Sequence, residues 1–518
     1  MKKFKYILSA VAVLSVLHSC VNDDDLEQHD PNVETEANFW KNDEDGVLGV
    51  NSVYQALLYD GTYMRSTPLL LDARADDMHS KSPWGAMFTT GKFTTVISDE
   101  SIYGWAFREY YQGIYRANQV LLNVPNIQFE NEELKNRVIG QAYFMRGLYF
   151  FHLVNLFKSV PLPTNTELYH PQRSNEEGWA QVISDFSNAV DLLPVSYNNV
   201  TGLDQGHVGR ATKGAALAYL GKSYLFTKDY QKAKESFESV INLGVYSLVS
   251  NYRDNFTDVN ENNSESIFEI QFSRTVGGID LGWIGAPGSS WGKTTGRAVT
   301  YGPPGFGFND IQPTKALLTE FQQELTKDGE LDPRLDATVF YNKPGTKLYG
   351  QDFATYYANN STNLNDVFTR KYQNSDGQYA DEYDWRSGIN ERLMRYADVL
   401  MMYAECLNEL GNTTGAYTYI QMVRDRANLP NLATVKPNMS TEQMRDQIAH
   451  ERFLEFALEG HRFDDIRRWG WLNDTSKLNW LKSRDDEFNT YSPGREYYPI
   501  PLSEIDNNPN GIVQNSGW

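Results

Sequence analysis

The sequence predicts an all-α fold in which packed helical hairpins form a scaffold that carries large irregular loops. Two distant segments share one helical-hairpin spacing, and several other stretches place apolar residues at gaps of three and four. Glycine-rich and polar stretches fall between these helical patterns. The chain has 518 residues, 41% of them hydrophobic, which is enough for one large core or two closely packed ones.

The first element along the chain is a short leader. Lysines at positions 2, 3 and 5 precede an apolar run from Tyr6 to Leu17 that is too short to span a bilayer as a mature helix, and Cys20 follows. We expect residues 1–19 to be a signal peptide, Cys20 to carry the acyl chains of a membrane anchor, and residues 20–38 to be a flexible tether. The alternative is an ordinary secretory leader that contains a cysteine by chance.

The next helices are expected in the first half of the mature chain. Apolar residues from Leu134 to Leu156 follow one another at gaps of three and four, and Pro161 ends the pattern. A second amphipathic pattern runs from Glu176 to Leu193, directly before Pro194. We expect these two helices to pair as a divergent hairpin.

A clearer hairpin pattern then occurs twice, with gaps of three, nine, four and three residues in both copies. The copies are Gly221, Tyr224, Ala233, Phe237 and Val240, and Ala404, Leu407, Ala416, Ile420 and Val423. Small residues where two helices cross, with larger apolar residues filling the grooves, are typical of a tetratricopeptide helix pair. The repeated spacing therefore predicts a tetratricopeptide-like scaffold.

Two amphipathic stretches follow the second copy, at residues 440–458 and 463–472. The segment from His450 to Gly470 is dense in ionisable residues, but Leu454 stands where a zinc-protease helix would place its second histidine. We expect its three glutamates, at positions 451, 455 and 459, to form internal ion pairs with the arginines at 452, 462, 467 and 468.

Three irregular stretches separate the helices. Residues 277–310 contain ten glycines together with several aromatic residues, residues 356–390 mix Asn, Asp and Tyr with Trp385, and residues 72–95 contain Trp84. No helix survives the glycine density of the first stretch. Loops on a rigid helical scaffold are where binding usually occurs.

Composition and missing motifs exclude several kinds of function. A net charge of −20 argues against a nucleic-acid partner. No CxxC motif, histidine cluster or GxSxG elbow is present, so no metal ligand set, cofactor or catalytic nucleophile is expected. Calcium-loop residue types occur at Asn374–Gly377 without the EF-hand spacing. Cys406 lies in a helical pattern and is expected to be a small buried side chain.

Aromatic residues on loops suggest binding of sugars. The C–H face of a pyranose ring packs on an aromatic ring, while polar side chains bind the hydroxyl groups. For any single tryptophan, burial in the core is the alternative interpretation.

The chain resembles the SusD/RagB family of glycan-binding lipoproteins over nearly its whole mature length. The blocks that carry the resemblance are, in order, DPNVETEANFWKNDEDGVLGVNSVYQAL, QAYFMRGLYFFHLVNLFKSVPLP, GRATKGAALAYLGKSYL, RLMRYADVLMMYAECLNELG, VRDRANLP, HERFLEFALEGHRFDDIRRWG and YYPIPLSEIDNNPNGIVQNSGW. Departures are small: Lys158 and Ser159 stand where the family often has a glycine, and Trp518 stands where tyrosine is common.

The resemblance implies four tetratricopeptide-like hairpins and a location on the outer face of the outer membrane. It also implies a partner, a SusC-type TonB-dependent transporter, and a function, the binding of polysaccharide or oligosaccharide without cleavage. Glu451, Arg452, Arg462 and Asp464 lie in family blocks that are mostly scaffold, so the resemblance implies a structural role for them. Glycan contacts in the family come from variable loops, so no binding residue is carried over by motif.

The site prediction therefore rests on position and chemistry. The expected stacking platforms are Trp84, Trp283, Trp291 and Tyr301, and the expected polar partners are Arg74, Asp76, Lys293 and Arg297. Lys81, Lys293 and Arg297 lie close in sequence to the tryptophans and favour an anionic polymer, such as a uronic-acid (alginate-like) or sulfated algal (ulvan-like) glycan.

The expected domain is 39–518, with an N-terminal part at about 39–260, a loop-rich insertion at about 261–390 and a C-terminal part at about 391–518. Two other classes of function stay open. One is an exported glycoside hydrolase, although with 67 acidic residues no carboxylate pair is specific. The other is a tetratricopeptide-type scaffold that binds a protein segment.

Overall fold

The computed structural model describes residues 39–275, 293–376 and 385–518, and this part of the chain is mostly helical, as predicted. The helices are α1 (Asp43–Gln55), α2 (Ser66–Asp72), α3 (Gly85–Gly91), α4 (Tyr103–Asn123), α5 (Glu132–Phe157), α6 (Asn175–Leu192), α7 (Lys213–Phe226), α8 (Tyr230–Asn242), α9 (Arg297–Tyr301), α10 (Lys315–Phe321), α11 (Pro333–Thr338), α12 (Phe353–Tyr356), α13 (Ser361–Leu364), α14 (Tyr396–Glu409), α15 (Thr413–Arg426), α16 (Leu432–Val435), α17 (Thr441–Glu455), α18 (Arg462–Arg468), α19 (Thr475–Arg484) and α20 (Leu502–Asn507). None of them is long and apolar enough to cross a membrane.

Short 3₁₀ turns and strands occupy the connections. The 3₁₀ turns are Ala56–Leu58, Val124–Asn126, Tyr197–Asn199, Tyr252–Phe256, Trp471–Asn473 and Asp486–Thr490, and the strands are β1 (Met78–Ser80), β2 (Ser266–Ile270), β3 (Ile311–Pro313), β4 (Val339–Phe340), β5 (Lys347–Leu348), β6 (Gln351–Asp352), β7 (Phe368–Thr369) and β8 (Glu391–Arg395). Strands β1 and β3, β2 and β8, β4 and β7, and β5 and β6 pair in antiparallel fashion. The β2–β8 pair joins the two ends of the insertion directly before α14.

Both copies of the repeated spacing form helical hairpins, α7 with α8 and α14 with α15. At the first crossing, a Cβ atom on Gly221 would lie only 2.7 Å from the ring of Phe237. The glycine therefore lets the two helices approach closely, which is the packing that the spacing predicted. The side chains of Asp229 and Asn412 cap the second helix of each hairpin.

The predicted divergent hairpin is also present, because α5 and α6 pack along their length. Helix α1 packs on α4, so four helix pairs follow one another along the scaffold. Helix α8 also packs on α14, which joins the third and fourth pairs although the insertion separates them in sequence. The scaffold is thus continuous, and the insertion leaves and re-enters at this joint.

Buried ion pairs hold the insertion against the scaffold. The guanidinium of Arg395, at the end of β8, pairs with Glu455 at 3.1 Å, with Glu459 at 2.8 Å and with Glu265 beside β2. Lys371 in the insertion also pairs with Glu459, at 2.8 Å. Removing one partner from such a buried group leaves an uncompensated charge, so these pairs fix the position of the insertion.

The sequence predicted internal ion pairing between residues 450 and 470, and the glutamates are indeed buried and paired, but with other partners. Glu451 pairs with Arg424 and Arg334, and Glu455 pairs with arginines at 334, 395 and 426. The arginines of the segment pair instead with other acids, some outside the segment, such as Arg452 with Asp398 at 2.7 Å, and some inside it, such as Arg452 with Asp465 at 2.7 Å. Side chains on successive turns of one helix point outward together, so their partners come from neighbouring elements. Cys406 is fully buried, as expected.

Candidate functional site

Four aromatic rings and one arginine form a cluster at the surface between α3, α4 and the insertion. The guanidinium carbon of Arg65 lies 5.3 Å from the ring centroid of Trp84, 5.6 Å from that of Trp105 and 5.4 Å from that of Trp385. Phe308 packs edge-to-face on Trp385 with centroids 5.6 Å apart, and 54% of its surface is exposed. We call Arg65, Trp84, Trp105, Trp385 and Phe308 the tryptophan cluster.

Two scaffold elements position the inner part of the cluster. Trp105 lies near the start of α4, and its ring is 5.8 Å from that of Trp84, which directly precedes α3. The backbone N–H of Trp84 donates to the Ser82 hydroxyl, which in turn donates to the Asp310 carboxylate. Trp84 is half-buried, so part of its ring faces solvent.

The insertion positions the outer part. The ring of Trp385 lies against Gly296, where a Cβ atom would be 2.7 Å from the ring. Gly296 itself is bound to the scaffold, because its N–H donates to the carbonyl of Met64 at 2.7 Å. Trp385 is half-buried, and its ring packs on the same guanidinium, that of Arg65, as the ring of Trp84 does.

Carboxylates around Arg65 bring the cluster close to electrical neutrality. Arg65 follows a π turn, Asp60–Met64, and makes a two-point ion pair with Asp60. Glu109 lies behind this pair and accepts the N–H of Thr62 at 3.0 Å. Burial, aided by the charge of Asp60, raises the pKa of Glu109 to about 8, so this carboxyl is mostly protonated at neutral pH.

The structure corrects four of the predicted site residues, beginning with Tyr301 and Arg297. Tyr301 is fully buried and its hydroxyl donates to Asp72 at 2.8 Å, so its ring is no surface platform. Arg297 is also buried, and it pairs with Asp72 at 3.1 Å and Glu391 at 2.9 Å. Both residues fix α9 against α2 and β8, and so they hold the segment that carries Gly296.

Arg74 and Asp76 are likewise structural rather than polar partners of a ligand. The guanidinium of Arg74 is buried over the ring of Tyr498, with 3.5 Å between the guanidinium carbon and the ring centroid. Asp76 is fully buried between Arg462 and Arg484, each at 2.6 Å. Burial alone would raise the pKa of Asp76, but the charges and hydrogen bonds of Arg462 and Arg484 hold it below the usual range.

The structure describes only two of the remaining predicted residues, Trp84 and Lys293. Trp84 belongs to the tryptophan cluster, and Lys293 is half-buried, with its carbonyl accepting the N–H of Ser273. Trp283, Trp291 and Cys20 lie outside the described residues. Trp84 and Lys293 therefore remain hypotheses about binding.

The sequence interpretation missed Arg65, Trp105, Trp385 and Phe308. Trp385 and Phe308 lie in the irregular stretches, and this position in the sequence was a usable signal for a surface ring. Trp105 lies in a helical pattern and is indistinguishable from a core residue by sequence. Arg65 is recognisable only from the three rings that surround it.

One group of potential metal ligands occurs in the described part of the chain, Glu324, His450 and Glu451. Arg424 already pairs with both glutamates of this group. His450 Nδ1 is bonded to Glu320 at 2.8 Å. An arginine therefore takes the place that a cation would have, and the donor set does not fit a metal.

Models of known protein families match two long stretches of the chain, which together cover most of it. The family model described as "SusD family" matches residues 264–518, and the model described as "Starch-binding associating with outer membrane" matches residues 45–225. A tetratricopeptide repeat model matches residues 215–243, which include the first hairpin copy.

Individual relatives match between three quarters and nearly all of the chain. The chain is 26% identical to SusD-like protein P25 of Formosa agariphila over 97% of both chains. It is 26% identical to the starch-binding protein SusD of Bacteroides thetaiotaomicron, over 75% of this chain and 73% of that protein. A crystal structure of a SusD superfamily protein from Bacteroides vulgatus superposes with a TM-score of 0.77 and 29% identity, covering 93% of this chain and all of the other.

Proposed function

Because this chain belongs to the SusD/RagB family, we propose that it is a non-catalytic surface lipoprotein that binds polysaccharide and passes it to a TonB-dependent transporter. The observation that carries the proposal is the tryptophan cluster, in which Trp84, Trp385 and Phe308 offer partly exposed rings at one place on the surface. The name of one relative, a starch-binding protein, supports carbohydrate as the ligand class.

Stacking on these rings is the proposed source of affinity. Each aromatic contact contributes about 0.5–1.5 kcal/mol, so two or three aligned rings give a modest but useful affinity. The rings need no rearrangement before binding, because Gly296 and the Ser82–Asp310 hydrogen bond already fix Trp385 and Trp84. A fixed platform loses little conformational entropy when a sugar packs on it.

The charge of the polymer is a separate part of the proposal. Of the cations that favoured an anionic glycan, Arg297 is neutralised by two buried carboxylates, whereas Lys81 is exposed and Lys293 is half-buried. An anionic polymer would therefore be held by these two lysines, each three residues from Trp84 or Gly296 in sequence, and its affinity would fall steeply with salt. A neutral polymer would depend on the rings alone and would bind equally well at high salt.

The proposed location is the outer face of the outer membrane, where acyl chains on Cys20 keep the protein beside a SusC-type transporter. Tethering raises the effective concentration of the binding site near the transporter without any new contact. A Cys20→Ala protein is expected to bind glycan in solution as the wild type does and to fail to support uptake. Loss of glycan binding in this variant would contradict the role of Cys20 as an anchor only.

A glycan panel tests the proposal. Wild-type protein, Trp84→Ala and Trp385→Ala are compared by affinity electrophoresis and calorimetry on neutral and anionic polysaccharides, at low and high salt. Each variant is expected to bind about 2- to 12-fold more weakly than wild type. Trp480→Ala is the matched control, because Trp480 is an exposed tryptophan on α19, outside the cluster.

The outcomes separate the open classes of function. Retardation of the wild type on no polysaccharide would overturn glycan binding and favour a protein-binding scaffold. Release of reducing sugar would identify a glycoside hydrolase instead. Normal binding by both Trp84→Ala and Trp385→Ala would overturn the tryptophan cluster as the site while leaving glycan binding intact.

A further inference from the structure

A cavity lies on the side of α4, between this helix, the loop that follows α5 and the C-terminal helix α20. Its volume is about 590 Å³, which is within the usual range for small-molecule sites. Its lining includes Tyr111, Gln112, Tyr115, Tyr169, Glu504 and Asn507. We call it the tyrosine cavity.

Aromatic rings form much of the wall. Tyr169 is 71% exposed and Tyr115 is 45% exposed, and both lie at the same opening. Single exposed apolar residues are normal on a protein surface. Exposed rings that lie together in one depression more often mark a binding site. The open rings are available to pack on the apolar face of a ligand.

The cavity is built into the fold rather than formed by a loose loop. The side-chain amide of Asn118, on α4, donates to the carbonyls of Pro163 at 3.0 Å and Asn165 at 2.8 Å. The hydroxyl of Tyr111 donates to the carbonyl of Pro161 at 2.7 Å. These bonds fix the start of the loop that carries Tyr169 against α4.

Polar groups at the rim have unused hydrogen-bonding capacity. Among the described residues, the side chains of Gln112, Glu504 and Asn507 have no hydrogen-bond partner in the protein. The charged side chains in the lining are two arginines, Arg108 and Arg116, and two glutamates, at positions 167 and 504, so neither sign is in excess. A ligand with many hydroxyl groups, one apolar ring face and no net charge matches this set of donors, acceptors and rings.

The tyrosine cavity and the tryptophan cluster lie next to each other along α4. Trp105 and Gln112 are seven residues apart, which corresponds to nearly two helical turns and a rise of about 10 Å. Seven residues also return to almost the same face of the helix. This rise along α4 is short enough for an extended oligosaccharide to span.

We propose that the tyrosine cavity is a second sugar-binding site, which takes a neutral oligosaccharide segment of the same polymer that packs on the tryptophan cluster. The proposal rests on the proposed glycan-binding function and adds a requirement for ligand length. Short oligosaccharides fill the tryptophan cluster alone, and longer ones reach Tyr115 and Tyr169. Affinity therefore rises a second time once the chain is long enough to span the distance.

The test is calorimetry on a series of oligosaccharides of increasing length from the polysaccharide that binds best. Tyr169→Ala, which removes a ring, and Gln112→Ala, which removes a hydrogen-bonding amide, are each expected to weaken binding of long oligosaccharides about 2- to 12-fold and to leave the affinity for short ones unchanged. Tyr169→Phe keeps the ring and should bind long oligosaccharides nearly as well as wild type. Trp480→Ala should match wild type at every length.

Three results would overturn the proposal. If the folded Tyr169→Ala and Gln112→Ala proteins bind long oligosaccharides as wild type does, the second site is refuted and the tryptophan cluster is unaffected. If these variants keep glycan affinity but no longer bind the transporter, the cavity is a protein interface and the proposal is overturned. If wild type binds no glycan at all, the proposed function fails and this inference fails with it.

Discussion

Adding one methyl group at Gly296 tests how the tryptophan cluster is held in place. Gly296 has φ −83° and ψ 1°, which alanine adopts without strain, so the substitution changes side-chain packing and not the backbone preference. The new Cβ atom of Gly296→Ala would lie 2.7 Å from the Trp385 ring and 3.2 Å from the Met64 carbonyl oxygen. Because the carbonyl belongs to the scaffold, the ring is the group that has to move.

The size of the effect follows from these distances. Ordinary carbon contacts begin near 3.4 Å, so the Trp385 ring has to move by about 0.7 Å, and overpacking of this kind costs about 1–3 kcal/mol. Displacing the ring removes some or all of its stacking with a sugar, which is worth about 0.5–1.5 kcal/mol. Gly296→Ala should therefore weaken glycan binding by at most the 2- to 12-fold expected for Trp385→Ala.

Calorimetry on the best-binding glycan provides the assay, with Gly85→Ala as the control. Gly85 directly follows Trp84, and a Cβ atom there meets nothing within 4 Å, so this variant should bind as wild type does. A double-mutant cycle then isolates the mechanism. If Gly296→Ala weakens binding equally in the Trp385→Ala background, or has no effect alone, the reasoning about Trp385 is refuted.

Three further predictions concern stability, measured by denaturant unfolding. Lys158→Gly should raise the free energy of unfolding by about 1 kcal/mol, because Lys158 ends α5 at φ +66°, where a Cβ atom is strained; an unchanged midpoint would contradict this. Arg395→Met should lower the free energy of unfolding by about 3–5 kcal/mol, because it leaves the charges of three buried glutamates poorly compensated. The control Arg445→Met removes an exposed ion pair and should lower the free energy of unfolding by less than about 1 kcal/mol. The free energy of unfolding of Glu109→Gln, relative to that of wild type, should increase as pH rises from about 5 to 8. The folded wild type holds the Glu109 proton up to a pKa of about 8 and releases it on unfolding, so wild type loses stability over this range. A difference between the two proteins that is independent of pH would contradict this.

The helical scaffold was predictable because its signals are local. Apolar residues at gaps of three and four define α5 and α6, and the pairing of Gly221 with Phe237 explains the spacing shared by the two hairpin copies. The antiparallel pair β2–β8 had no such signal, since its strands lie more than 100 residues apart and pair only after the scaffold brings them together. The partners of the buried glutamates were missed for the same reason.

The site was only partly predictable. Trp84 lies in an irregular stretch and is half-buried, and its role as a stacking platform stays a prediction. Arg74, Asp76 and Arg297 were misread, because their polar partners include residues from distant segments and nearness in sequence to a tryptophan says nothing about burial. Arg65 could not be found at all without the three rings around it.

The central claim is that glycan binds on the tryptophan cluster, and a crystal structure of the protein with a long oligosaccharide from the best-binding polysaccharide tests it most directly. The account predicts sugar rings packed on Trp84 and Trp385, with the chain continuing along α4 towards Tyr169. A bound oligosaccharide that contacts neither tryptophan would contradict it.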